Sequence, residues 1–205
     1  GELRSAGQAA LRLREVAQWN VAGREQPRID RAEIRHRAVV RARNAVSELH
    51  VVAVLGGAKI SDKLGVVEAL LGVVDSLVIG GAMCFTFFAA QGKPIGDSLF
   101  EPDQVDTCER ILAQHAAKVH LPEDIVGLNA DGVFSTWGTS LPAGAKGFDI
   151  GPGSAAAFSD IVMDARMVFW NGPMGVFEND RFAAGTRTLA QAMADTRAFT
   201  VVGGG

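Results

Sequence analysis

The spacing of apolar positions changes character at Val51. Before it, Leu11, Leu13 and Val16, and later Ile34, Val39 and Val40, give only weak helical periodicity, broken around Gly23 and Pro27, with no apolar stripe wide enough to build a core. From Val51 onward, short β-branched runs alternate with longer helical patterns. VVAVL (Val51 to Leu55) ends in Gly56-Gly57 and reads as a buried strand. Ser61 is placed to cap a helix in which Val66, Val67, Leu70, Leu71 and Val74 share a face. SLVIGG (Ser76 to Gly81) is a second strand entering a glycine turn, and MCFTFFAAQG (Met83 to Gly92) is a buried helix closed by its glycine. Pro102 opens a helix carrying Val105, Cys108, Ile111 and Leu112, and KVHL (Lys118 to Leu121) and IVGL (Ile125 to Leu128) are extended. Residues 129–153, with Trp137 and clusters of Gly and Pro, read as a loop before a short helix around Ala155 to Met163. MVFW (Met167 to Trp170) is a strand, NGPMGVFE a loop, Phe182 to Met193 a helix, and FTVVGGG (Phe199 to Gly205) a last strand running into glycines.

This alternation predicts an α/β fold: a doubly wound, Rossmann-like parallel sheet covered on both faces and incomplete, preceded by a poorly patterned segment of helical or irregular structure. The expected division is residues 1–50 and residues 51–205. Ligands on such sheets bind outside the carboxyl ends of the strands, and here strand after strand ends in glycine, at Gly56-Gly57, Gly80-Gly81, Asn171-Gly172 and Gly203-Gly204-Gly205. One such pair merely closes a tight turn. Several on one edge point to a phosphate or nucleotide site, since bare backbone N–H groups at helix starts favour anions.

Charge sharpens the division. Residues 1–50 hold ten Arg, no Lys and six acids, a net +4, whereas residues 51–205 hold five Lys, five Arg and seventeen acids, a net −7, which leaves the chain at −3. The Arg of the first part alternate with Glu2, Glu15, Glu25, Asp30, Glu33 and Glu48 around a lone Trp19, so nucleic acid is not the expected partner. Two readings of that segment stay open: a misjoined or frameshifted stretch, or two divergent surface helices. The composition, 48% apolar and 21% charged without a membrane-length apolar run, gives neither a spanning segment nor wholesale disorder. Cys84 and Cys108 have no CxxC or His partner at metal spacing, so no metal site is expected. With no signal peptide recognisable, a cytoplasmic location is expected.

GGAKISDK (Gly56 to Lys63) has neither the GKS/T of a Walker A loop nor the GxGxxG spacing. Together with GGAMCFTF (Gly80 to Phe87), GFDIGPGS (Gly147 to Ser154), WNGPMGVFE (Trp170 to Glu178) and the terminal VVGGG, it closely resembles the C-terminal, nucleotide-binding domain of phosphoglycerate kinases, with five blocks in the family's order from about Val51 to Gly205. The resemblance implies a glycolytic phosphotransferase with a carboxyl group as acceptor, using ADP or ATP with Mg2+. It implies that Lys63 neutralises the phosphoryl group in flight and that Lys59 contacts nucleotide phosphates, a setting in which positive charge is what the reaction needs. Gly80, Gly81, Gly147 and Phe148 resemble walls of the adenosine pocket, and Glu178 the acid that binds the ribose hydroxyls. Asn171 and Pro173 resemble residues shaping the phosphate loop, and Gly203, Gly204 and Gly205 the start of a GGGD[ST] phosphate loop. Phe148 also reads as core packing, and Asn171 to Pro173 as a simple turn.

Two departures qualify the resemblance. Ala82 stands where the family's GGGM has its third glycine, and the Asp of GGGD[ST], which helps to hold magnesium, falls beyond Gly205. In the family, 3-phosphoglycerate is held by an N-terminal domain that residues 1–50 do not resemble, and the enzyme is a monomer. The expectation is therefore a kinase fragment inactive on its own, with a non-catalytic ADP/ATP-binding module as the alternative.

Overall fold

A computed structural model describes residues 50–203 of the chain. The segment 1–49 and the last two glycines, Gly204 and Gly205, lie outside the described residues, and with them the expectations for the Arg-rich segment and for the end of the glycine loop.

Five parallel strands form the main sheet in the order β3-β2-β1-β7-β8: β1 (Val51–Leu55), β2 (Ser76–Ile79), β3 (Val119–His120), β7 (Met167–Asn171) and β8 (Phe199–Gly203). In register, Ala53 pairs with Leu77 on one side and Phe169 on the other, and Phe169 pairs with Val201. Successive residues of β1 serve opposite faces, as the two-residue period of a strand requires. Ala53, Leu55, Leu77 and Ile79 join one core with Val67 and Leu71 of α1 (Leu64–Leu71), Phe87 and Phe88 of α2 (Met83–Ala90), and Cys108 and Ile111 of α3 (Val105–His115). Val52, Val54, Val78, Val168 and Trp170 join a second with Phe158 and Val162 of α4 (Pro152–Asp164) and Leu189 and Met193 of α5 (Ala184–Asp195). The sheet is thus doubly wound, and burial on both faces is why its central strands read as unbroken apolar runs. Chain order reverses beside β1: the path leaves it for β2 and β3 and returns on its other side as β7.

Residues 129–153 are not simply a loop. They contain β5 (Phe134–Trp137) and β6 (Lys146–Ile150), which flank β4 (Ile125–Leu128) in an antiparallel sheet of order β5-β4-β6. Val126 pairs with Asp149 and Gly127 with Gly147, so Phe148 is the extra residue of a bulge. IVGL therefore belongs to this small sheet and not to the parallel one.

This sheet region also supplies helix caps. The residue preceding α4, Gly151, has no capping side chain; Asp124, just before β4, accepts from Gly153 N at 2.9 Å and Ser154 N at 2.7 Å. Ala183, preceding α5, likewise has none, and Asp149 of β6 accepts from Gly185 N at 2.7 Å. Two helix N-termini are thus satisfied from a distance.

Among the described residues no strand pairs with the outer edge of β8, whose Phe199 and Val202 are 62% and 65% exposed and which carries no Lys, Pro or bulge to protect it. Val202→Lys is expected to suppress concentration-dependent association seen by light scattering, with the denaturation midpoint almost unmoved. Equal scattering by both proteins would show that this edge does not drive association.

Candidate functional site

The carboxyl ends of β1 and β7 flank the point where the chain order reverses, which is where open α/β sheets bind ligands. Lys63, closing a single 3-10 turn (Ser61–Lys63) before α1, occupies that point. Its Nζ donates to Gly56 O at 2.7 Å, Asn171 O at 3.0 Å and Asn171 Oδ1 at 2.6 Å, so the ammonium bridges the ends of both strands. Burial lowers its pKa, and Asp62 nearby acts in the opposite direction. Ser61 does not cap the helix as its position suggested. Its Oγ donates to Glu101 Oε1 at 2.5 Å and its N–H to Oε2 at 3.0 Å, which ties the loop between β1 and α1 to the 3-10 turn that leads into α3.

Beside Lys63 opens a cleft of about 470 Å³. Gly81, Gly147, Phe148, Pro173 and Glu178, all singled out from the sequence, line it, together with Gly57, Cys84, Phe85, Ser98 and Asp149. The loop after β7 is clamped over its floor: Gly57 N donates to Pro173 O at 3.0 Å, Gly81 N to Met174 O at 2.9 Å, and Val176 N to Phe148 O at 2.9 Å. Of the remaining expected residues, Asn171 and Gly203 pair across β7 and β8 at the polar end beside Lys63, and Lys59 is exposed on the loop before it. Gly80 does not line the cleft but packs against Met174, which does. A smaller hollow of about 210 Å³ between α1 and α3, with Glu68, Arg110 and His115 in its lining, shares no residue with this cleft.

Packing alone requires several of the glycines. A Cβ at Gly80 would meet Met174 Sδ at 2.4 Å, and one at Gly147 would meet Phe85 Cζ at 2.2 Å. Gly81 has φ +65°, and its Cβ would lie 2.4 Å from Gly57 N, where the turns after β1 and β2 touch. Phe148, displaced by its bulge, packs its ring 4.8 Å from that of Phe182 while its backbone faces the cleft loop. It is therefore both wall and packing residue.

Asp149, Ser98 and Phe85 were not singled out from the sequence. Ser98 Oγ accepts from Gly147 N at 3.0 Å and so fixes the glycine wall. Asp149, 4% exposed, accepts from Ile150 N at 2.9 Å as well as from Gly185 N; burial pushes its pKa up to about 6 against the pull of these two bonds. No cue of spacing marks either residue, because their partners lie 49 and 36 residues away. Cys84 is buried in the cleft wall and burial raises its pKa well above the ordinary thiol value, which leaves it an inert wall residue. Among the described residues no group of three or more His, Cys, Asp or Glu could hold a metal ion, and no helix is long and apolar enough to cross a membrane.

Comparison with known proteins agrees with this geometry. The family model described as phosphoglycerate kinase matches residues 35–205, a range that starts ahead of Val51. The phosphoglycerate kinase of Corynebacterium urealyticum is 50% identical over 165 residues, covering 77% of this chain and 41% of that protein. That of Salinispora arenicola is 42% identical over 200 residues, covering 96% of this chain and 50% of the other. The solved structure of phosphoglycerate kinase from Coxiella burnetii superposes with a TM-score of 0.73 at 36% identity, covering 82% of this chain and 46% of that one. The chain thus spans half or less of the length of these relatives. With a family model matched over most of its length and a cleft at the reversal point of a doubly wound sheet, the chain belongs to the phosphoglycerate kinase family.

Proposed function

We propose that this chain is the nucleotide-binding part of an ATP:3-phosphoglycerate phosphotransferase, which converts 1,3-bisphosphoglycerate and ADP to 3-phosphoglycerate and ATP. The observation that carries the reading is Lys63, held by Gly56 and Asn171 at the ends of β1 and β7 where the cleft meets the glycine loops. In this reading the adenosine lies in the cleft against Gly81, Gly147 and Phe148, with Glu178 at the ribose and Gly80 packed against Met174. The phosphates run toward Lys59, Lys63, Asn171 and Pro173, with Gly203 beside Asn171.

The terminal phosphate oxygen of ADP attacks the acyl phosphate in line, and the transfer gains chiefly from positioning and from charge placed against the phosphoryl oxygens. Lys63 supplies that charge. Its three acceptors orient the ammonium before any ligand arrives, and partial burial strengthens its field. The described residues offer no carboxylate set for Mg2+, so the ion is taken to travel on the nucleotide phosphates and no step here depends on it. In this reading the phosphoglycerate is held by an N-terminal domain of the kind that the family resemblance implies. A monomeric, cytoplasmic enzyme fits this reading, without membrane or nucleic-acid partners. For the 205-residue chain by itself, which spans half or less of its relatives, ADP or ATP binding without turnover is the expected behaviour.

Calorimetric titration with MgADP, beside a coupled assay for phosphoglycerate-dependent turnover, tests both statements. Saturable binding is expected, and Lys63→Ala is expected to weaken it about ten-fold, the worth of one partly buried positive charge beside the phosphates. Unchanged affinity in a folded Lys63→Ala protein would remove Lys63 from the phosphate site.

A further inference from the structure

Asp149 sits in the wall of the cleft between two elements that close on it from different directions. A Cβ at Gly175, in the loop after β7, would lie 2.3 Å from its Oδ1, and a Cβ at Gly185, in the first turn of α5, would lie 2.5 Å from the same atom. Both glycines are therefore bare where the carboxylate touches them. The carboxylate hydrogen-bonds one of these elements and its own strand, Oδ2 accepting from Gly185 N at 2.7 Å and Oδ1 from Ile150 N at 2.9 Å, and meets the Gly175 loop by packing. One residue earlier, Phe148 O accepts from Val176 N, so β6, the loop bearing Pro173 and Glu178, and the start of α5 meet around this one side chain.

Ala183, the residue before α5, is itself buried and in right-handed helical backbone, so no side chain caps the helix locally and the cap is a carboxylate from another strand. Burial opposes its charge, as the upward shift of its pKa to about 6 records. The same carboxylate fills the space that Gly175 leaves bare, so it bears on the cleft loop as well as on the helix. Resting on the nucleotide reading above, we propose that Asp149 is a positioning residue of the nucleotide site, holding the Pro173 to Glu178 loop and the first turn of α5 in register with the Gly147 to Phe148 wall.

The proposal separates affinity from stability. Asp149→Asn is isosteric, keeps a single acceptor oxygen and removes the buried charge. In the full 205-residue chain near neutral pH it is expected to weaken ADP binding about ten-fold in calorimetric titration, the loss of one charge-assisted acceptor, while resistance to urea stays equal or rises. Gly175→Ala, which leaves the carboxylate in place but displaces the loop from it, is expected to weaken ADP binding as well. Wild-type affinity in Asp149→Asn overturns the positioning role, as does an affinity loss no greater than the loss of folded protein. If the wild-type chain itself binds no ADP, the nucleotide reading fails and this inference fails with it; wild-type binding with unaltered Asp149→Asn binding overturns the inference alone.

Discussion

Gly81→Ala is expected to destabilise the domain by about 3 kcal/mol and to abolish ADP binding. Two effects add at this position. With φ +65° the residue is in the left-handed region, which costs an L side chain about 1–2 kcal/mol. Its Cβ would also lie 2.4 Å from Gly57 N and 2.5 Å from Gly57 O, and these are backbone atoms with no rotamer to yield. Gly57 is itself held by its bond to Pro173 O, so relief must come from parting the turns after β1 and β2, both of which line the cleft. Gly92 provides the control: φ is +69°, but nothing lies within 4 Å of its would-be Cβ, so alanine there meets the backbone cost alone. Urea denaturation and ADP titration of the two variants decide the matter. Equal behaviour of Gly81→Ala and Gly92→Ala would mean that the contact between the turns is soft and that the cleft does not depend on it.

The contrast between these glycines shows what a sequence can and cannot convey. That strands end in glycine was legible, and so was the edge on which the glycines gather, because a buried parallel strand is a continuous apolar run and its end is unmistakable. Why a given glycine is needed was not. Gly80 answers to Met174, Gly147 to Phe85, and Gly127, whose Cβ would lie 1.9 Å from Lys146 O, to the bulge at Phe148. Each reason is a contact across the fold. The small antiparallel sheet escaped notice for a different cause: β5 is exposed or half-exposed throughout, so FSTW carries no buried run, and its neighbours are Gly- and Pro-rich turns. Ser61 had the chemistry and place of a cap, but Glu101 took its hydroxyl, an outcome settled by a residue 40 positions away.

The same distinction applies to the site. Lys63 was legible by its place in GGAKISDK, yet its function as a bridge depends on Asn171, 108 residues later, so the motif located the charge and only the fold aimed it. Lys59 shows the converse, since its block is equally clear but the structure leaves it exposed on the loop. Asp149 had no motif of its own, being one acidic letter inside GFDIGPGS, and its importance arises because Gly175 and Gly185 converge on it. Residues proposed to meet ligand are thus readable in short blocks, whereas residues that hold those blocks in place are readable only once strands are paired.

Asp149 also makes the stability of the domain depend on pH in a direction opposite to that of most carboxylates. Its pKa rises from 3.8 to about 6 on folding because burial disfavours the anion, more than the bonds from Gly185 and Ile150 favour it. The folded state therefore holds a proton that the unfolded chain has already released between these values. Stability from this group is fully present below pH 3.8 and is lost as pH rises through about 6. The size of the loss is about 3 kcal/mol, from two pH units at about 1.4 kcal/mol each. Other carboxylates act in the opposite direction at acid pH, so the measurement is a difference: urea denaturation of the wild-type chain and of Asp149→Asn at intervals from about pH 4 to pH 7. The wild type is expected to lose about 3 kcal/mol relative to the variant across that window, with the steepest change above the ordinary carboxyl pKa. A difference curve that stays flat would mean that Asp149 ionises as an exposed carboxyl does and that its burial costs nothing. A falling curve, joined to weaker ADP binding by Asp149→Asn, would show a charge kept at the expense of stability because the nucleotide site needs its two acceptors.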